Sequence, residues 1–479
     1  MAHHYASALE IAESVQEGNL DPVDLVESFL DRIHSRNDRT NAYVTIIDDL
    51  AIAQAEEIRT RVENGEYLPL AGVPVAIKDL SDAKAGVPFT KGLQPLADNI
   101  AESSSVGVQR LEAAGGIVLG TTNTPELGHR VRTDNLLVGP TGTPFDPDRN
   151  AGGSSGGSAA ALADGLCTLA TGSDVGGSLR NPASCCNLVS VKPTHGLVPR
   201  GSQFNGYRGH TPVAVAGPMA RDVQSLARML DVLAGKHQID PFSVHPPESY
   251  EPAVTEQIDP ANLSLAYSPG LDLFPVAPAV QDSIESTLSD LEGEGASVTE
   301  VSIDGPARTE VNQAYMVTVT TFFATGVREL DLEFETDFLD TYAKGLPAQL
   351  TELVEVGESH DLKDYTDADL IRTELYYAIE SVLDEYDALM CPTLATPPLS
   401  HDEPFPETIN GEETNGMPTD WTLAWPFNLT GHPVVNVPAA PVNGLPVGMQ
   451  IVGKPFAERQ LLEIASAVEL SSPWSYPDD

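Results

Sequence analysis

Lysine is scarce in this chain, with eight copies against 18 arginines in 479 residues. Basic residues together number 26 against 70 acidic ones, a formal charge of −44. Such a balance argues against nucleic acid as a direct partner, because phosphate binding needs a basic face. It also argues against docking on an anionic membrane. Cysteine is nearly absent. Cys167, Cys185, Cys186 and Cys391 form no C-x-x-C pair, so neither a disulfide framework nor a zinc knuckle is expected, and a reducing, cytoplasmic setting is. No stretch approaches the roughly 20 apolar residues of a membrane span. The N-terminus, MAHHYASALEIAES, lacks the basic region and apolar run of a signal peptide. His3 and His4 are too few for a metal tract. Aromatic residues make up only 6% of the chain, but the 41% hydrophobic content fits a globular protein. At about 150 residues per domain, the length corresponds to roughly three domains or one large α/β fold.

Apolar spacing places the elements. Asp21-Pro22 supplies a cap and a first-turn proline, and Leu25, Val26, Phe29, Leu30 and Ile33 then share one helical face. Tyr43 to Ile47 reads as a short strand, and Ala51 to Val62 as a second helix stopping at Asn64-Gly65. Short apolar runs such as 73–77 and 116–119 read as buried strands among glycine-rich connections. Pro241 to Pro260 reads as an exposed, acidic connection. A strand at Leu263 to Tyr267, a helix carrying Val280, Ile284, Leu288 and Leu291, and a strand at Val298 to Ile303 form a βαβ unit. Helices are expected over about 308–387, and closing strands at Val434 to Val437 and Val447 to Val452. The alternation predicts an α/β fold with one large mixed, mostly parallel sheet and helices on both faces.

Two clusters carry the chemistry. The first is Gly152-Gly153-Ser154-Ser155-Gly156-Gly157-Ser158, which runs directly into Ala159 to Ala163. A phosphate loop would need Gly-Lys-Ser/Thr to follow, and none does. Gly152-x-Ser154-x-Gly156 matches a nucleophile elbow, but that motif needs a buried strand before it. Residues 143–150 read instead as a turn, so the α/β-hydrolase fold is rejected. Ser81-x-x-Lys84 has no Lys-Thr-Gly partner in the chain. The second cluster is Ser173-Asp174-Val175-Gly176-Gly177-Ser178-Leu179-Arg180. Paired glycines before a serine expose successive backbone amides beside its hydroxyl, an arrangement suited to holding an oxyanion.

The stretch GGSSGGSAAALADGLCTLATGSDVGGSLRNPASCCNLVSVKPTHGLVPR, residues 152–200, resembles the amidase signature family. Further similarity lies in PVAIKDL (74–80), TNTPELG (122–128), GPMARDV (217–223), FNLTGHPVVNVPA (427–439) and GLPVGMQIVGKPF (444–456), and covers nearly the whole chain. The resemblance implies one amidase domain over 1–479. Within it lie an N-terminal helical region (1–65), a signature core (66–235) and a variable substrate-pocket region with closing strands (261–479). It implies a Ser-Ser-Lys triad: Ser178 as nucleophile, Ser154 as bridging serine after a cis Gly153–Ser154 peptide, and Lys78 as base. The roles suit the residues. A serine needs a base to become nucleophilic, and a lysine ending a buried apolar strand loses proton affinity by desolvation. The amides of Val175, Gly176, Gly177 and Ser178 are implied as an oxyanion hole, with Asp174, Arg180 and Ser155 as supports.

Several positions depart from the family pattern: Asn187 and Ser190 replace glycines, His195 a tyrosine, and Thr121 a lysine. None belongs to the implied triad. Lys192, also buried-looking, is expected to close a loop. The implied activity is hydrolysis of a small-molecule carboxamide through a serine acyl-enzyme, without cofactor or metal, and with a homodimer left open. The alternative is the glutaminase component of a tRNA-dependent amidotransferase, which shares the triad and needs partner subunits. In that component an acidic residue meets the substrate's α-amine, and Trp421 stands near its place here, one residue from Asp420. Trp421 and Trp425 suggest an apolar acyl pocket, or else two core tryptophans. Intact Lys78, Ser154 and Ser178 argue against a purely binding relative.

The acid excess is spread along the chain, which points to adaptation to high internal salt rather than to an ordinary acidic protein. At about 1 M salt the Debye length falls to about 3 Å and screens self-repulsion. Melting temperature is therefore expected to rise from low to molar KCl. Curves that stay flat contradict this.

Overall fold

The computed structural model describes residues 3–201, 204–207, 212–255, 258–414 and 416–477. In its N-terminal half the strands are β1 (Tyr43–Ile46), β2 (Pro74–Lys78), β3 (Ile117–Thr122), β4 (Gly142–Thr143), β5 (Asp146–Asn150), β6 (Leu169–Asp174), β7 (Val189–Lys192) and β8 (Val215–Ala220). They are followed by β9 (Ser264–Tyr267), β10 (Ser297–Glu300), β11 (Ala388–Pro392), β12 (Thr408–Ile409), β13 (Glu412–Glu413), β14 (Val434–Val442) and β15 (Leu445–Val452). Eleven of these make one sheet in the order β1-β3-β2-β6-β8-β7-β14-β15-β11-β9-β10. The sheet is large and mixed, as expected, with six antiparallel neighbour pairs against four parallel ones. Parallel pairing forms two blocks, β3-β2-β6 on one side and β11-β9-β10 on the other. Between them the pairs from β6 through β8, β7, β14 and β15 to β11 are antiparallel. One of these pairs, β14–β15, is a tight hairpin in which Val442 pairs with Leu445; parallel neighbours need crossover connections.

Every residue of β2, β6, β7 and β11 is buried. Successive strand side chains point to opposite faces, so the centre of the sheet is covered on both. Among the described residues no helix is long and apolar enough to cross a membrane. The four cysteines are buried and free.

Local chemistry explains the flanking helices. Asp21 caps the helix Pro22–Thr40 by accepting from the Val23 amide at 2.8 Å, with Leu25, Val26, Phe29, Leu30 and Ile33 on its buried side. The next helix runs from Asp48 to Glu63, earlier than its apolar spacing alone indicates, and ends at Asn64. The strand that follows the βαβ helix stops at Glu300 rather than Ile303. Residues 143–150 form part of a small antiparallel hairpin, β4–β5, outside the main sheet. The segment 241–260 is not simply an exposed connection: Tyr250 and Ala253 are fully buried, with the Tyr250 amide donating to Asp231 at 2.8 Å. Tyr250, the Val244 amide bonded to the Gly196 carbonyl at 3.0 Å, and the Glu251–Arg228 ion pair hold the segment to the body.

What the fold does for the site is to bring three chain turns together. These are the end of β2, the glycine-serine turn before the helix Gly156–Ala163, and the turn after β6. β2 and β6 are direct neighbours, and that helix is buried along its whole length.

Candidate functional site

Lys78 is the last residue of β2 and is fully buried. Its amide donates to Thr171 Oγ1 on β6 at 3.0 Å, which fixes the strand end. Its Nζ lies 2.7 Å from Ser154 Oγ and 3.1 Å from Ser173 Oγ. Burial pulls the Lys78 ammonium down to about 7; the Asp174 and Asp82 carboxylates oppose this shift, and Arg200 adds to it. An amine in this position is neutral in a substantial fraction of molecules near neutral pH and can accept a proton.

Ser154 follows a cis Gly153–Ser154 peptide. A Cβ at Gly153 would lie 2.7 Å from the Arg132 backbone, so the turn passes too close to its neighbour for any side chain there. Ser178 is 8% exposed, and its carbonyl accepts from the Ser155 amide at 3.2 Å, tying the two serine turns together. Ser154, Ser173 and Ser178 border one cavity of about 440 Å³. The side chains of Ser154 and Ser178 make no hydrogen bond to each other. Ser155 Oγ contacts the Ser173 backbone at 3.4–3.5 Å rather than Lys78.

The implied oxyanion amides divide. The Gly177 amide donates to Asp174 Oδ1 at 2.7 Å and is already committed. Those of Val175, Gly176 and Ser178 meet no acceptor among the described residues. Asp174 is the hub beneath this turn. Its carboxylate also accepts from the Leu179 amide at 3.1 Å, from Arg180 Nε and Nη2 at 3.0 Å each, and from Asn428 Nδ2 at 2.8 Å. Arg180 continues to the Ala424 carbonyl, Gln450 Oε1 and Asn428 Oδ1, all at 2.7 Å. Burial alone would raise the Asp174 carboxyl, but the Arg180 guanidinium and these hydrogen bonds hold it well below the usual carboxylate range. Both side chains are wholly buried.

Trp421 and Trp425 do not border the cavity. Trp421 donates to Thr396 Oγ1 at 2.7 Å and is 1% exposed. Trp425 donates to the Thr419 carbonyl at 3.0 Å and stacks on Tyr315. The apolar wall comes instead from Phe89, Leu127, Phe322, Phe323 and Leu330. Sequence reasoning also missed Ser173, Asn428 and Gln450 as partners, although each lies inside a quoted motif. Of the departures from the family pattern, Asn187 takes the left-handed conformation (φ 59°) in place of a glycine. Its side chain donates to the Ser475 carbonyl at 3.0 Å. His195 lines the cavity. Ser190 Oγ and Thr121 Oγ1 are buried without a partner among the described residues. Lys192 is buried, pushed down to about 7 by burial, and among the described residues donates only to the Pro193 carbonyl, at 3.3 Å.

Comparison with known proteins is consistent along the chain. The amidase family profile matches residues 24–462. An acylamidase of Rhodococcus erythropolis is 36% identical over 98% of this chain and 96% of its own. The A component of a glutamyl-tRNA(Gln) amidotransferase from Natranaerobius thermophilus is 31% identical over 98% of this chain and 96% of its own. Among solved structures, a bacterial aryl acylamidase of the amidase signature enzymes superposes with a TM-score of 0.91. It is 32% identical, over 98% of this chain and 97% of that one.

Removing one partner of a buried ion pair leaves an uncompensated charge and typically costs about 3–5 kcal/mol. Asp174→Ala is therefore expected to lower unfolding free energy by about that amount in denaturant titrations at molar salt. A loss under about 1 kcal/mol would show that Asp174 does not anchor the Ser178 turn.

Proposed function

The chain belongs to the amidase family, and from that premise we propose that Lys78, Ser154 and Ser178 carry out the amidohydrolase reaction as a Ser-Ser-Lys triad. The observation that carries the proposal is a fully buried amine 2.7 Å from a serine hydroxyl. Ser178 Oγ attacks the amide carbonyl. Its proton passes to Ser154 Oγ, whose own proton passes to the neutral Lys78 Nζ. The oxyanion is held by the amides of Val175, Gly176 and Ser178. The Lys78 ammonium then returns its proton through Ser154 to the leaving nitrogen, and the C–N bond breaks. Water attacks the Ser178 ester through the same relay, releasing the carboxylate and restoring the serine. A rotation of the Ser178 hydroxyl toward Ser154 closes the relay, as is common between free and substrate-bound enzymes.

The substrate in this proposal is a small-molecule carboxamide whose apolar acyl group rests against Phe89, Phe322 and Phe323. Primary amides release ammonia and anilides an arylamine. Likeness to an acylamidase and an aryl acylamidase supports this choice. The amidotransferase reading draws support from relatives of that name, but Asp420, the nearest acidic candidate for an α-amine, is buried and ion-paired with Arg308. The whole chain then acts as one catalytic unit, in which residues 261–479 supply part of the acyl wall. The charge of −44 supports operation in concentrated salt.

Purified protein alone in molar KCl is expected to release ammonia or arylamine from aromatic acetamides and anilides. Turnover of glutamine only, and only with added amidotransferase partners, overturns the choice of substrate. Ser178→Ala is expected to lower kcat by at least about 1000-fold and Lys78→Ala by about 100-fold or more. Near-normal turnover in either variant removes the mechanism. Because the neutral amine is the reactive form, kcat/KM is expected to rise with pH through about 7 and then level. A rate that falls over that interval contradicts Lys78 as base.

A further inference from the structure

Gly176 sits in the turn that leads to Ser178, and the space beside it is filled from another part of the chain. A Cβ at this position would collide with the Tyr315 hydroxyl and lie 3.1 Å from Tyr315 Cζ. Tyr315 belongs to the helix Arg308–Phe334. Its ring is stacked on Trp425 with centroids 4.8 Å apart and planes inclined by 30°. Trp425 is itself held by its hydrogen bond to the Thr419 carbonyl and by the edge of Phe274 at 5.5 Å. The tyrosine therefore cannot swing away from the turn without unstacking a buried tryptophan. Its hydroxyl makes no hydrogen bond to a described residue. Tyr315 is half-buried, and a phenylalanine would fill the same ring space without the oxygen that reaches the turn. The oxygen is retained where it touches the backbone that must present amides to an oxyanion. The same helix places Phe322 and Phe323 two turns further along, in the acyl wall of the cavity.

We infer that Tyr315 is a positioning residue for the reaction: its hydroxyl, clamped by Trp425, sets the position of the Val175-Gly176-Gly177 turn and hence of the oxyanion-binding amides. The inference rests on the assignment of Ser178 as nucleophile. It gives Trp425 a role behind the site rather than in contact with substrate. It also makes the helix Arg308–Phe334 a shared support for the acyl wall and the oxyanion turn.

The test uses the full-length protein, para-nitroacetanilide as substrate and phenylboronic acid as a tetrahedral mimic. Misplacing a catalytic group by about an ångström can cost as much as 100-fold in rate. Tyr315→Phe is expected to lower kcat by about tenfold and Tyr315→Leu by about 100-fold. KM should stay within about twofold of the parent, and boronate affinity should fall in parallel with kcat. Melting temperature reports whether the variants fold, and Gly176→Ala provides the same displacement from the other side. Unchanged kcat in the two Tyr315 variants, or a loss confined to KM, overturns the inference. Mass spectrometry of the quenched reaction separates the two levels. If parent Ser178 carries no acetyl group, the Ser178 assignment fails and this inference with it. An acetylated Ser178 with unchanged kcat in the variants overturns the inference alone.

Discussion

The burial of one amine governs the arrangement around it. Lys78 ends a strand with no exposed residue, and what meets its nitrogen is a pair of serine hydroxyls rather than a carboxylate. In a chain with 70 acidic residues, surrounding a lysine with hydroxyls takes a specific fold. β2 and β6 must be neighbours so that Thr171 and Ser173 approach from one side. The glycine-serine turn must approach from the other, closely enough that Gly153 admits no side chain. Withdrawal from water is what lowers the proton affinity, and a hydroxyl, unlike a carboxylate, does not restore it. The neighbouring Asp174 and Asp82 pull in the opposite direction, and desolvation outweighs them.

A second buried cation, Arg180, is treated in the opposite way. It is paired bidentately with Asp174 and hydrogen-bonded to Asn428, Gln450 and a backbone carbonyl, so its charge is fully met. Such a network holds geometry rather than moving protons. Through the Gly177 and Leu179 amides, which donate to Asp174, it grips the turn that carries Ser178, and Tyr315 touches the same turn at Gly176. The Lys78 nitrogen is met by hydroxyls, and burial lowers its proton affinity. The Arg180 charge is compensated and rigid.

Much of this was legible in the chain itself. Asp21-Pro22 marked a helix start, the apolar run before Lys78 marked a buried strand, and two glycine-serine clusters marked the turns that meet there. These are local signals: each depends on backbone geometry or solvent exclusion over a few residues. The missed features depend on distant chain segments. An apolar helix face reads the same whether it meets the core or a cavity, so Phe322 and Phe323 were invisible as wall residues and the two tryptophans were overvalued. The commitment of the Gly177 amide depends on how the Asp174 carboxylate is rotated, which no spacing reveals. Composition makes 241–255 read as exposed, yet Tyr250 is buried and Glu251 pairs with Arg228.

The protonation state of Lys78 can be read without turnover. With only eight lysines, labelling the lysine side-chain nitrogens and following them by NMR as pH is raised in molar KCl resolves Lys78, assigned by its absence in Lys78→Met. The account predicts that this resonance loses its proton near pH 7, while exposed lysines remain charged to about pH 10. A Lys78 resonance that stays cationic until it titrates with the exposed lysines would contradict it.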